Sequence, residues 1–298
     1  MTGKFKPLKN KEIRLAIERC PRLPSLKSVN KSLHEVFRSD THFTAQIADI
    51  IRRDPALASR LLKLVNSVFF GLNQKIYTIE DAIFYLGLRQ VRELAMATPI
   101  LEDFAALNPA IKCVDWNFLW QHSIGTAVLT RELLAASGEF FNDEMDYLVG
   151  LLHHVGKLVM AFVFPDRFET LARLSAHNTV DFCKLERGLI GWDHAAIGAH
   201  FLEQHNLSEV MTDSIRHHHN PEKAINPKIA AAIQVADHML RATGIASIEK
   251  VDQPEIGSWK ALSGWAILFP DATTPALFEL SLDHTLVRLF KTLCGFPV

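Results

Sequence analysis

Residues 151–160 read Leu-Leu-His-His-Val-Gly-Lys-Leu-Val-Met and place two adjacent histidines in an otherwise apolar segment. An imidazole buried in a helix needs a hydrogen-bond partner or a metal, because an unpaired polar group in a core costs about 1–3 kcal/mol. Successive helix residues are about 100° apart, so His153 and His154 should converge on something beside the helix. Apolar residues recur at spacings of three and four, which indicates one continuous buried helix: Tyr147, Leu148, Leu151, Leu152, Val155, Leu158, Val159 and Phe162.

The composition is that of an ordinary globular protein. The 298 residues are 48% hydrophobic and 22% charged, and a net charge of −1 gives no general attraction to nucleic acid or to a membrane. The N-terminus lacks the apolar region of a signal peptide, and no apolar run approaches the ~20 residues that span a bilayer. The four cysteines are far apart, which fits a reducing compartment. We therefore expect a cytoplasmic protein without membrane contact.

Basic residues are concentrated near the start of the chain. Residues 1–105 carry 17 Lys and Arg against 11 Asp and Glu. A basic arm can contact RNA or an acidic partner, and Arg89 and Arg92 could contact DNA from a helix-turn-helix. Such runs more often form a solvated surface. We expect a solvated basic segment over residues 1–20 and no nucleic-acid binding.

Helical periodicity continues through most of the chain. Thr78–Asp81 has the form of a capping box, and Asp193 and Ser208 are placed to cap the helices that follow them. The sequence contains no strand alternation, hairpin turn or internal repeat. It predicts an all-α fold with a basic segment at 1–20, an N-terminal helical subdomain at 21–110, a multi-helix core at 111–245, and a segment at 246–298 ending in a helix over 276–293.

Polar residues interrupt the apolar faces of these predicted helices, and they are His122, His153, His154, His194, His218, His219 and Asp237. Each histidine alone is more often a satisfied core or surface residue, and we interpret His200, His205, His217 and His238 in that way. Imidazole and carboxylate together are ligands for first-row divalent metals, and a bound metal offsets the cost of burying the carboxylate. We expect His122, His153 and Asp237 to share one metal ion or one water network.

The motif around the histidine pair resembles that of the HD superfamily of metal-dependent phosphohydrolases. The run His153-His154-Val155-Gly156-Lys157 matches the superfamily's His-Asp-x-Gly-Lys except at its second position. The resemblance implies that His122, His153 and Asp237 are metal ligands and that Lys157 lies near the phosphate in an active enzyme. It further implies the additional ligands of the branch that cleaves cyclic dinucleotides, at His194, His218 and His219.

The N-terminal half is similar to the HDOD family, whose members are HD-related output domains of bacterial signal transduction. The similarity runs from about Leu23 to Asp237. It implies an HD-like core at 111–245 and a signalling protein as partner. The matching segments are Asp54-Pro55-Ala56-Leu57, Leu61-Leu62, Asn66-Ser67 before an aromatic pair and Gly71, Ala82-Ile83, and Leu86-Gly87.

His154 stands where catalytic members of the superfamily have a metal-bridging aspartate. A carboxylate has two oxygens for two cations, whereas a neutral imidazole offers one lone pair to one metal. We therefore predict a non-catalytic regulatory module with a vestigial or mononuclear site at His122, His153, His154 and Asp237. One divalent transition metal would fit, with Mn, Fe, Ni and Zn not distinguished. The alternative is a phosphohydrolase that uses Lys157 and binds a nucleotide or cyclic dinucleotide.

Overall fold

Helices account for all of the regular secondary structure in the part of the chain that the computed structural model describes. That part is residues 5–20, 75–86, 116–139, 145–175, 181–205, 207–245 and 254–271, with isolated positions between 48 and 66. The predicted all-α fold is confirmed, and no strand occurs within these ranges. The helices are α1 (Asn10–Glu18), α2 (Ile79–Leu86), α3 (Trp116–Ala136), α4 (Met145–Leu152), α5 (Val155–Val163), α6 (Pro165–Ser175), α7 (Phe182–Leu189), α8 (His194–Gln204), α9 (Glu209–His217), α10 (Pro227–Ala242) and α11 (Ser263–Leu268).

Contacts within the chain define two compact units. One unit is residues 1–22 with 107–282, and the other is residues 23–106 with 283–298. The proposed boundaries at 21–110, 111–245 and 246–298 stay predictions. The expected C-terminal helix over 276–293, Arg89 and Arg92, and most of the HDOD-like segment 54–71 lie outside the described residues.

The predicted helix caps fix where three helices begin. The Thr78 hydroxyl accepts a hydrogen bond from the Asp81 backbone N–H at 3.0 Å, in front of α2. The Asp193 carboxylate accepts from the Ala196 N–H at 2.9 Å, and the Ser208 hydroxyl accepts from the Met211 N–H at 3.3 Å. Because Asp193 caps α8, His194 is the first residue of that helix, and its backbone sits at the helix end rather than in its middle.

Two glycines let the helices around the histidine pair approach one another closely. A Cβ atom added at Gly150 would lie 2.7 Å from the Ala127 Cα, so α4 and α3 cross almost backbone to backbone. A Cβ at Gly156 would collide with the His194 carbonyl oxygen and lie 2.7 Å from the Gly198 nitrogen. The backbones of α5 and α8 therefore cross equally closely. Gly156, the glycine of the His-Asp-x-Gly-Lys motif, therefore brings the start of α8, with His194, against the histidine pair.

The histidine pair lies in a break between α4 and α5, not inside one helix as the sequence predicted. α4 ends at Leu152 and α5 begins at Val155, and His154 has φ −98° and ψ 9°. His153 Nδ1 donates to the Gly150 carbonyl oxygen at 2.6 Å. Carbonyls in the last turn of a helix lack a backbone donor, so an imidazole can bind one only where the helix ends. The prediction missed the break because apolar spacing continues across it.

The apolar segment that contains this break is longer than expected, since the sequence analysis found no apolar run close to bilayer-spanning length. Met145–Val163 spans 19 residues and is apolar enough to cross a membrane by length and composition, yet 83% of its most apolar 18-residue stretch is buried inside the protein. Burial of this kind is what the core helix of a soluble protein shows.

The basic N-terminal segment is only partly solvated. The side chains of Lys9, Lys11 and Arg14 are exposed, as expected, but Ile13 and Ile17 on the other face of α1 are fully buried. The backbone before α1 is also held, since the Leu8 N–H donates to the Ile190 carbonyl oxygen at 2.9 Å. The basic side chains of α1 are therefore solvated as expected, while its apolar face is packed into the protein.

Replacing Gly156 with alanine tests the close crossing of α5 and α8. We expect the free energy of unfolding to fall by about 1–3 kcal/mol, because the added methyl group meets backbone atoms that cannot rotate away. The matched control is Gly188→Ala in α7, where nothing lies within 4 Å of the added carbon. That change should raise stability by about 0.5–1 kcal/mol. Denaturant titration measures both, and two stabilised variants would contradict the crossing.

Candidate metal centre

Asp237 is a buried carboxylate on α10 with three histidines around one of its oxygens. Its Oδ1 lies 3.0 Å from His122 Nε2 and 3.7 Å from the Nε2 atoms of both His153 and His154. Its Oδ2 pairs with Arg241 Nη2 at 3.1 Å, one helical turn further along α10. Ligand atoms of the four site residues all lie within 4.8 Å of one another, and we call these four residues the Asp237 group.

Backbone carbonyls fix which ring nitrogen of the histidines carries the proton. His122 Nδ1 lies 2.8 Å from the Ile245 carbonyl oxygen, and His153 Nδ1 lies 2.6 Å from that of Gly150. His218 repeats the arrangement with the Ile215 carbonyl at 2.6 Å. A carbonyl oxygen only accepts, so Nδ1 must donate, and a neutral ring then has its lone pair on Nε2.

The two His-His pairs of the sequence occupy equivalent places in the fold. His153-His154 follows the end of α4, and His218-His219 follows the end of α9. In each pair the first histidine binds the carbonyl oxygen three residues earlier, which belongs to the last turn of the helix. The ring that caps the helix is thereby held in place, and the second histidine is carried into the same cluster, with ring centroids 3.7 Å and 3.9 Å from the first.

Burial favours the neutral form of the histidines at positions 153, 154, 194 and 218, because it lowers the pKa of each. It lowers the pKa of His153 to about 4. Burial also lowers the pKa of His154, helped by His153, and the pKa of His194, helped by Lys157. Burial alone would raise the pKa of Asp237, but the positive charge of Arg241 beside it outweighs burial and holds that pKa well below its usual value. At neutral pH the cluster therefore presents bare imidazole lone pairs beside a carboxylate.

The buried nitrogens of the cluster are arranged as ligands of a cation more than as hydrogen-bond partners of one another. Within the described residues, His153 Nε2, His218 Nε2 and His154 Nδ1 are buried without a hydrogen-bond partner. His122 Nε2 lies 3.0 Å from Asp237 Oδ1, and its Nδ1 already donates to the Ile245 carbonyl oxygen. A bound cation would occupy the place that a proton otherwise takes between these two atoms. Imidazole nitrogens and a carboxylate oxygen are the donor set of a divalent transition metal.

A second set of buried ligands adjoins the Asp237 group and shares His154 with it. Ligand atoms of His154, His194 and His218 lie within 4.8 Å of one another. His194 Nδ1 donates to Glu186, whose oxygens are 2.8 Å and 2.9 Å away. His219 Nε2 lies 3.0 Å from His194 Nε2. A third set of three, Cys183, His194 and His219, meets the same distance limit, and burial raises the pKa of the Cys183 thiol.

Lys157 is buried on the side of the cluster formed by α5, α7 and α8. Its side chain is only 1% exposed, and its Nζ lies 5.3 Å from the centre of the Phe182 ring. Its positive charge contributes to the lowered pKa of His194 and of His154. The charge therefore lies close to the second set of ligands.

The structure brings all seven sequence-derived site residues into one cluster. His205 stays outside it with its Nδ1 donating to the Phe201 carbonyl at 2.9 Å, and His200, His217 and His238 also lie outside the ligand groups. Sequence reasoning missed three participants, Glu186, Arg241 and Cys183. Arg241 follows Asp237 by four residues, a spacing that predicts a helix ion pair. Nothing in the sequence links Glu186 or Cys183 to His194.

Comparison with known proteins gives one family match. The model of the HDOD domain matches residues 23–221, a range that contains every candidate histidine but ends before Asp237. An uncharacterised protein of Treponema pallidum (strain Nichols) is 29% identical over 210 residues, which are 70% of this chain, and the chain spans about 40% of that protein's length.

Solved structures share the fold at low identity. An HDOD domain protein of unknown function from Geobacter sulfurreducens superposes with a TM-score of 0.76 at 20% identity, covering 96% of this chain and 98% of that chain. A Shewanella amazonensis SB2B protein that bears the provisional name phosphohydrolase gives a TM-score of 0.68 at 22% identity, covering 94% of this chain and 97% of that chain. These likenesses show the fold.

The lowered histidine pKa values make the metal-free protein sensitive to acid. Unfolded histidines titrate near pH 6.5 and His153 only near 4, so the unfolded state binds more protons between these values. Stability is then fully present above about pH 6.5 and is lost as pH falls toward about 4. In chelator-treated protein, we expect the thermal unfolding midpoint to be highest above about pH 6.5 and to fall as the pH is lowered toward about 4. His153→Asn should flatten the profile and His217→Asn, a partly exposed control beside Asp213, should not. Equal midpoints at about pH 7 and pH 5 would contradict it.

Proposed function

This chain belongs to the HDOD domain family, and from that premise we propose that it is a cytoplasmic output module of bacterial signal transduction that binds one divalent transition metal and does not hydrolyse phosphoesters. The observation that carries the proposal is the imidazole at position 154. His154 is the residue that the Asp237 group shares with the His154, His194 and His218 set.

An imidazole at this shared position cannot do what a carboxylate would do. A neutral ring has one lone pair, so His154 can ligate a cation in one set at a time. A carboxylate would also bring a negative charge between the sets. Two unit charges 4 Å apart repel by about 4 kcal/mol at an effective dielectric constant of about 20, and two dications by about four times as much. The second set consists of three neutral rings, those of His154, His194 and His218, so it does not compensate the repulsion between two bound cations.

The ligands of the Asp237 group come from separate helices, which suggests what the metal does for the module. His122 lies on α3, Asp237 lies on α10, and the histidine pair lies between α4 and α5. When bound, the metal supplies positive charge and a fixed coordination geometry. These residues then hold three parts of the core together, and the stability of the surface offered to a signalling protein partner depends on metal supply.

The alternative function is a metal-dependent phosphohydrolase that acts on a nucleotide or cyclic dinucleotide. Two observations favour it. Glu186 orients His194 as a carboxylate orients a metal-ligating histidine, and Lys157 brings a buried positive charge to the same side of the cluster, where it could attract a phosphate. The provisional name of the Shewanella amazonensis protein points in the same direction for that protein.

The substitution His154→Asp separates the two functions. We expect wild-type protein supplied with Mn²⁺ to show no phosphoester turnover above background. The variant should bind an additional Mn²⁺, because the new carboxylate supplies a second oxygen and the missing negative charge. Metal content by mass spectrometry and turnover of nucleotide and cyclic dinucleotide substrates measure both effects.

The matched control is His153→Asp, which makes the same chemical change one residue earlier. His153 belongs to the Asp237 group and not to the second set, so its carboxylate should add no second Mn²⁺. Turnover by the wild type at ordinary enzyme rates, about 1–1000 per second, would establish the phosphohydrolase and end the output-module proposal.

A further inference from the structure

We propose a second cation site, formed by Cys183, His194 and His219, that takes a thiophilic ion such as Zn²⁺ or Cu⁺. Ligand atoms of these three residues lie within 4.8 Å of one another. The site does not include any member of the Asp237 group, so the inference goes beyond the proposed function and stands without it. Below, these three residues are called the Cys183 group.

The two histidines are already spaced as ligands of one ion. Their Nε2 atoms are 3.0 Å apart. Two nitrogens bound at about 2.0–2.1 Å in a tetrahedral zinc site are separated by about 3.3 Å. The rings are nearly perpendicular, with an interplanar angle of 87°, so their inner edges meet rather than stack. Without a metal, His194 Nε2 accepts a hydrogen bond from His219 Nε2, so a bound cation would replace the His219 proton, which passes to solvent, and the two nitrogens would move slightly apart.

Glu186 fixes the tautomer that such a ligand needs. Its carboxylate accepts from His194 Nδ1 at 2.8 Å and from the His194 backbone N–H at 3.0 Å. The Nδ1 proton is therefore held, and the His194 lone pair is on Nε2, the atom beside His219. Glu186 is completely buried, as is usual for a carboxylate that orients a metal-ligating histidine.

Cys183 supplies the negative charge that the neighbouring histidine set lacks. His154, His194 and His218 offer neutral rings, whereas a thiol becomes an anionic ligand by losing its proton to solvent as the metal–sulfur bond forms. Because His194 Nε2 has one lone pair, a cation bound here removes His194 from the set that contains His154. A thiolate with two imidazoles prefers Zn²⁺ and Cu⁺ to Mg²⁺ or Mn²⁺.

Cobalt substitution tests the site in the full chain. Protein stripped with chelator and titrated with Co²⁺ should develop a near-ultraviolet thiolate-to-cobalt charge-transfer band, and added Zn²⁺ should remove it. Cys183→Ser should lose the band completely. The matched control is Cys20→Ser, since Cys20 is equally buried but lies outside all three ligand groups. Asp237→Asn should keep the band, so failure of the Asp237 site is distinguishable from failure of this one.

A wild-type spectrum without the band, or an unchanged band in Cys183→Ser, would overturn the proposal. A second measurement needs no variant, in case Cys183→Ser does not fold. Zn²⁺ should slow alkylation of Cys183 in the chelated wild type by at least about tenfold, as read by peptide mass spectrometry, and should leave Cys20 unaffected. Equal alkylation of Cys183 with and without Zn²⁺ would also overturn the proposal.

Discussion

The hydrogen bond from His153 Nδ1 to the Gly150 carbonyl oxygen connects the fold to the site. It gives the end of α4 a donor that the backbone no longer provides, and it leaves the ring's other nitrogen bare and directed at Asp237. His218 makes the same bond at the end of α9. Both bonds exist only because the helix stops at the histidine. The break after Leu152 is therefore a requirement of the metal centre, and burial of the freed lone pairs costs stability until a cation or proton meets them.

Close helix crossings supply the rest of the geometry. The Gly156 backbone rests on the first turn of α8, so His194 lies within reach of His154, their ring centroids being 5.0 Å apart. Gly150 does the same between α4 and α3, the helix that carries His122. A side chain at either glycine would push one ligand away from the others. The small residues next to the histidine pair thus decide whether the ligands meet at all, which explains in physical terms why the recognised motif includes a glycine.

Much of this was accessible from the sequence, and the exceptions have identifiable causes. Periodicity and caps predicted the all-α fold and the start of α8 at His194, and inward-facing polar residues predicted the members of the cluster. The break at His153 was missed because an apolar pattern does not register a helix end made by a side-chain bond. Glu186 and Cys183 were missed because their proximity to His194 arises from the turn between α7 and α8 and leaves no recognisable spacing in the sequence. Arg241 could have been found from its four-residue separation from Asp237.

We infer that histidine nitrogens oriented by backbone carbonyls converge on a cation beside Asp237. Anomalous X-ray diffraction from crystals grown with Zn²⁺ tests it most directly, because it locates the ion relative to individual atoms. We expect an anomalous peak about 2.0–2.2 Å from Asp237 Oδ1 and from the Nε2 atoms of His122 and His153. Anomalous peaks elsewhere on the molecule, with none among these three atoms, would contradict it.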